Sequence, residues 1–165
     1  MFMNRNICAA LALAVVAASL SLPVSSADLA KSGKYSGHYG WTFNGQVQKL
    51  GDDRVVYAGM VSGVVFNNEG KGFLHKARAD CALYNDVNKG HASATGTCVV
   101  TDADGDKVFV EWRCTGAMPA CPGTERFVGG TGKYTGISGD QKFQGNFIGD
   151  TGAGWSDWSG EYKLP

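Results

Sequence analysis

From residue 28 onward no stretch sustains the spacing of an amphipathic helix, and short stretches with the period-2 or continuous apolar character of strands follow one another between turn residues. Tyr35, Gly37, Tyr39, Trp41 and Phe43 interleave with Ser36, His38, Gly40 and Thr42, which predicts a strand with one aromatic face; residues 46–50 continue it past a bend at Gly45. Asp52-Asp53 predicts a turn, and residues 54–66 a long apolar strand in which Gly59 and Gly63 suit bulges or barrel bends. After a turn at 67–70, strands are predicted over 72–84, 92–101 and 107–114, separated by a polar loop at 85–90 and by Asp102-Ala103-Asp104-Gly105-Asp106. Residues 115–123, with Pro119 and Pro122, predict a small loop. Residues 125–128 lead into a glycine-rich stretch, 129–139, and the last strands are predicted over 143–148 and 155–164. About eight closely spaced strands with short turns suit a sandwich or a closed barrel. The glycine-marked bends favour closure, which removes exposed edges. The expected fold is all-β, an eight-stranded antiparallel barrel.

The first residues break this pattern. Arg5 precedes an apolar run at 7–20, Pro23 ends it, and Ser25-Ser26-Ala27 has the small residues a signal peptidase reads. The run is shorter than the roughly 20 residues a membrane-spanning helix needs. Residues 1–27 are expected to be a cleaved signal peptide and 28–165 one barrel domain, periplasmic or secreted. Cys8 lies in the run with no small-residue lipobox ahead of it, so lipidation is not expected. The 15 basic and 15 acidic side chains balance. With no basic run there is no electrostatic footprint for nucleic acid, and no second apolar stretch predicts membrane insertion of the mature chain. All 24 glycines fall after residue 27, scattered among Val, Thr, Tyr, Phe and Trp, which excludes collagen and reads as a twisted, curved sheet.

Without Cys8, four cysteines remain, an even number that in an exported domain points to disulfides. Three pairings are possible; Cys81–Cys98 with Cys114–Cys121 is favoured because each pair brackets a local loop. Neither spacing has the C-x-x-C form of a zinc ribbon or a redox site, so no metal is expected. The acidic run at 102–106 departs from a calcium loop, with glycine in the fourth place and Arg113 in the twelfth; Asp-Gly between β-branched strands is a hairpin signal. A phosphate loop at 129–134 fails because Phe127 and Tyr134 stand where Gly and Ser or Thr are required. There is no G-x-S-x-G elbow, and His38, His75 and His91 have no acidic partner visible in the sequence. No cofactor is expected.

Two constellations are left. On the strand at 107–114, Phe109, Glu111 and Arg113 share one face, and Val108, Val110, Trp112 and Cys114 the other. With the apolar set inside, Glu111 and Arg113 form a solvated pair; with a partly polar lumen, they orient a ligand. The tryptophans, Trp41 and Trp112 among them, either fill a core or line a pocket, since eight strands enclose just enough space for one small ligand. Trp41, Glu111, Trp112 and Arg113 are the candidate ligand-binding residues.

The run Phe127-Val128-Gly129-Gly130-Thr131-Gly132-Lys133-Tyr134, followed by Gly136 and Gly139, resembles the glycine-rich segment of the allene oxide cyclase and dirigent superfamily. The resemblance implies an eight-stranded barrel, frequently oligomeric, and carries over no catalytic residue. Plant allene oxide cyclases close a fatty-acid epoxide in the barrel cavity, and dirigent proteins guide phenolic intermediates, with acidic residues assisting in some. The leading expectation is a barrel that binds a small hydrophobic or aromatic molecule. The alternatives are a cyclase or isomerase in which Glu111 or another lumen acid stabilises positive charge, and a structural envelope protein with a filled barrel.

Overall fold

In the computed structural model, which describes residues 29–165, the alternating stretches form eight antiparallel strands: β1 (Ser32–Lys49), β2 (Arg54–Asn67), β3 (Ala77–Asn88), β4 (His91–Thr101), β5 (Lys107–Ala117), β6 (Ala120–Gly130), β7 (Asp140–Phe147) and β8 (Ala153–Lys163). Each pairs with its neighbours in chain order, and β1 also pairs with β8, from Ser32 opposite Lys163 to Thr42 opposite Ala153. The sheet thus closes into a barrel with every strand paired on both sides, so no backbone edge is offered to another chain. The expected leader lies outside the described residues.

Period-2 alternation decides what faces inward. Tyr35, Gly37 and Tyr39 of β1 are buried while Lys34, His38 and Gly40 face out; on β5, Val108, Val110 and Cys114 are buried while Lys107, Glu111 and Arg113 are exposed. Three segments differ from their sequence-predicted form. β3 begins at Ala77 and runs to Asn88, so 72–76 leave the sheet and 85–88 join it. Phe73 and Leu74 look like strand residues because they are apolar, but they are apolar because they are buried beneath the barrel end. The polar residues at 85–88 are accommodated because Asn85 points inward and Asp86 accepts from Arg54 on β2. Residues 115–123 are mostly hairpin rather than loop: β5 and β6 flank a turn at Met118-Pro119.

The glycine-rich stretch is the third difference. Only Gly129 and Gly130 end β6; Gly132–Tyr134 form a single 3-10 turn, and the segment to Gly139 folds over the barrel end. Gly139 (φ 142°) passes so close to β8 that a Cβ there would strike the Glu161 carbonyl oxygen, a reason for glycine in both conformation and space. Tyr134 and Ile137 are buried as part of a floor with Phe73, Leu74 and Tyr162, in which Phe73 stacks on Tyr162 with centroids 4.1 Å apart. The acidic hairpin holds this segment down. Lys133 Nζ lies 2.7 Å from Asp102 and 2.5 Å from Asp104, and the Tyr134 hydroxyl donates to Asp102. The opposite end, ringed by the short β1–β2, β3–β4, β5–β6 and β7–β8 turns, carries no such plug; cavity-lining residues reach it at Lys49, Lys89, Met118 and Asp150.

Both expected disulfides are formed. Cys81 and Cys98 face each other across β3 and β4, and Cys114–Cys121 spans the β5–β6 hairpin. All four residues line the lumen.

A further regularity fixes the shape of that lumen. Four aromatic side chains pair across strands with a glycine: Trp41 with Gly154, Trp112 with Gly96, Trp158 with Gly37 and Phe143 with Gly123. Each ring lies over its glycine closely enough that a Cβ there would collide with it, at 2.6 Å for Trp112 over Gly96. The rings are laid against the wall rather than pointed across the barrel. The barrel is left hollow.

Candidate functional site

The space so preserved is a cavity of about 850 Å³, within the size range of small-molecule sites. Its walls are apolar for most of their area, with Val61 from β2, Val110 and Trp112 from β5, Phe127 from β6, Phe143 from β7 and Trp158 from β8. The polar groups are few. Tyr39 and Trp41 are already engaged: the Tyr39 hydroxyl lies 3.2 Å from the carbonyl oxygens of both Val61 and Ala79, which share its one proton, and Trp41 Nε1 donates to Ser156 Oγ at 3.2 Å.

The unengaged groups matter more. Glu125 projects into the lumen from the middle of β6, between Trp112 on β5 and Gln141 on β7, its cross-strand neighbours. Its side chain keeps some surface, but that surface faces the cavity rather than bulk solvent. Burial alone acts on its carboxyl, with no cation or donor offsetting it, and pushes the pKa up to about 7. Tyr35 is buried with its hydroxyl unpaired, its pKa is raised first by burial and then by the charge of Glu125, and its ring stacks on Phe127, two residues from Glu125 on β6, with centroids 6.0 Å apart. Asn85 Oδ1 is also buried without a partner. Gln141, buried and cavity-facing, sits opposite both Glu125 and Gly160, and Gly160 pairs in turn with Tyr35. A buried polar atom without a partner costs about 1–3 kcal/mol, so several in one apolar chamber mark the place where a ligand can satisfy them.

Of the four sequence-predicted site residues, Trp41 and Trp112 line the cavity. Glu111 and Arg113 do not. They stand on the outer face of β5, because alternation turns Val110, Trp112 and Cys114 inward; Glu111 there pairs with Arg126 at 2.7 Å. The acid in the lumen is Glu125, which reading 115–123 as a loop concealed. Its signal was the parity Cys121, Gly123, Glu125, Phe127, in which a disulfide cysteine and a buried phenylalanine fix the inward face.

The glycine-rich segment offers nothing to an anion. The Thr131, Lys133 and Tyr134 amides donate to Lys107, Asp106 and Thr131 respectively, and the Lys133 ammonium is spent on Asp102 and Asp104. None of the three histidines lines the cavity.

No protein-family model matches the chain, and no curated protein matches it by sequence. Among solved structures it is similar to the pterocarpan synthase dirigent protein GePTS1, with a TM-score of 0.50 over 82% of this chain and 87% of that one, at 11% identity. The likeness establishes a dirigent-like barrel fold.

Proposed function

We propose that the protein is an exported, disulfide-stapled barrel that takes a small hydrophobic or aromatic molecule into its cavity without a cofactor. The observation that carries this is the hollow, aromatic-walled lumen, whose rings are seated over glycines while the Tyr35 hydroxyl and Asn85 Oδ1 are left without partners and Glu125 and Gln141 face the space. Two disulfides support a periplasmic or secreted location, since they persist in oxidising compartments. Trp41, Trp112 and Trp158 line the cavity, so their fluorescence reports an occupant. Titration with a neutral aromatic probe such as N-phenyl-1-naphthylamine is expected to give saturable quenching with one site per barrel. Absence of saturable binding across a panel of neutral aromatics would overturn the proposal. Native mass spectrometry of protein from its own host reads the copurified ligand and the oligomeric state together. A homo-oligomer is supported by an exposed apolar strip in which Val64 and Trp155 flank Gly40 on the outer wall.

A cyclase or isomerase is the second reading, and Glu125 favours it. A lone carboxyl poised near neutrality in an apolar chamber can stabilise positive charge developing on a reacting intermediate, while the walls hold that intermediate folded. Glu125 thus takes the part considered for Glu111. Under both readings Glu125→Gln leaves the affinity for a neutral probe within about threefold, since uncharged contacts are kept. Only under the second does it abolish turnover.

A further inference from the structure

The lumen holds a single carboxyl group, that of Glu125, and no cation of the protein answers it among the described residues. The charged residues that line the cavity besides it, Lys49, Asp52, Asp53, Arg54, Lys89 and Asp150, all belong to the mouth. Arg54 is already paired with Asp86, and the rest mix both signs, so the rim supplies no cation to the interior. Aromatic side chains share the chamber with it: Trp112 is its cross-strand neighbour on β5, with its ring laid over Gly96 of β4, Phe127 follows two residues along β6, and Tyr35 stacks on Phe127 with ring centroids 6.0 Å apart.

Resting on the cavity-binding function proposed above, we infer that the preferred occupant is a hydrophobic monocation, an ammonium with an aromatic or alicyclic body, whose nitrogen docks between Glu125 and these ring faces. An anionic occupant would meet the repulsion of Glu125 in a medium that screens it weakly. A neutral one leaves the carboxylate without a counter-charge. A cation supplies that counter-charge, and the negative faces of Trp112, Phe127 and Tyr35 add cation–π attraction that strengthens when water is excluded. The apolar body is matched by the remaining wall. Trimethylated or bulky ammonium groups fit best, because they have little hydration to lose on entering such a chamber.

Binding of this kind is linked to pH through Glu125. β5, β7 and β8 present Trp112, Gln141, Phe143, Ser156 and Trp158 to the lumen, none of which titrates near neutrality. β1 presents Tyr35 and Tyr39, whose phenol protons burial holds in place, and β2 presents Tyr57 nearer the mouth. The lumen groups of β3 and β4 are Asn85, apolar residues and the Cys81–Cys98 disulfide. A quaternary ammonium keeps its charge at every pH, so any change in its affinity across neutrality reads Glu125, with the mouth charges as background.

The test compares benzyltrimethylammonium with its uncharged isostere neopentylbenzene on the mature protein, by calorimetry and tryptophan quenching. At pH 8 the cation is expected to bind at least about tenfold more tightly, and its affinity to fall about tenfold or more on lowering the pH to 5.5, as Glu125 takes up a proton. Neopentylbenzene is expected to show no such fall, binding as well or better at pH 5.5, where the carboxyl is uncharged. Glu125→Gln, checked for native circular dichroism, brings the two ligands to similar affinity; the pH series on the unaltered protein gives the same information independently of that variant. Equal affinity for both compounds at pH 8, a flat pH profile for the cation, or preferential binding of the neutral compound would overturn the cation assignment while leaving the cavity function standing. Failure of both compounds to bind would remove the cavity function and this inference together.

Discussion

Glu111 and Glu125 sit on neighbouring strands, and the direction in which each strand turns them sets their chemistry. Glu111, outside, is half exposed beside Arg126, an ion pair worth about 0–1 kcal/mol at such a surface. Glu125, inside, has its pKa raised from an ordinary 4.5 to about 7. Below pH 4.5 the group is protonated in both the folded and the unfolded chain and has no effect. Between 4.5 and 7 the native state retains a proton that the unfolded chain has lost, so stability falls as pH rises through this window, and above 7 the cost is complete. Discounted for the solvent that an open lumen admits, the loss is about 2 kcal/mol. Glu125→Gln is therefore expected to gain on the unaltered protein by roughly 5–10 °C in melting temperature between pH 4.5 and 7.5. An offset that stays constant over this range would contradict the burial of Glu125. Strand parity made both faces of β5 legible in the sequence but not which was inner, and Glu125 was hidden by Pro119 and Pro122, residues that more often mark loops than a hairpin's first turns. Asn85 and Gln141 gave no local signal, because their importance lies in cross-strand neighbours far away in sequence.

Among elements, the pairing of large rings with glycines does most to shape the site. Gly96→Ala would force Trp112 off the wall and drive its Cβ against the Ala82 carbonyl oxygen. Overpacking of this kind costs about 1–3 kcal/mol. A lower denaturation midpoint with weaker probe binding is the expected outcome; an unchanged midpoint would show that the ring does not rest on this glycine. The high glycine content pointed to curvature, whereas which glycine lies under which ring depends on register, which no local pattern encodes. The segment at 129–139 is instructive in the same way. Its glycines suit a bending strand equally well, and only the burial of Tyr134 and Ile137 and the grip of Asp102 on Lys133 and Tyr134 turn it into a lid. The strands at 54–66 and 92–101 are legible almost to their ends, the first because turn residues bound a continuous apolar run and the second because small or apolar side chains alternate with polar ones as far as Cys98; the start of β3 is not, because Phe73 and Leu74 carry strand-like character in a segment that plugs the floor.

For the whole molecule, closure and cross-linking act together. The disulfides tie β3 to β4 and β5 to β6, adjacent staves of the same wall, and each is expected to contribute about 2–4 kcal/mol by restricting the unfolded chain. Intact mass spectrometry of the unfolded mature protein should show no uptake of an alkylating reagent before reduction and uptake at all four cysteines after it. Any alkylation without reductant would contradict the pairing. Barrel closure was legible from strand count and glycine bends, but hollowness was not, since the same aromatic content fills a core or lines a chamber. A plugged floor at one end and an open ring of turns at the other make the barrel a vessel with one wide doorway. Two guests cannot pass within it, so a newcomer has no way to push a resident out from behind. Replacement must then wait for spontaneous departure. In a stopped-flow chase the displacement rate is expected to stay constant as competitor concentration is raised, and a rate that climbs with competitor would reveal a second door.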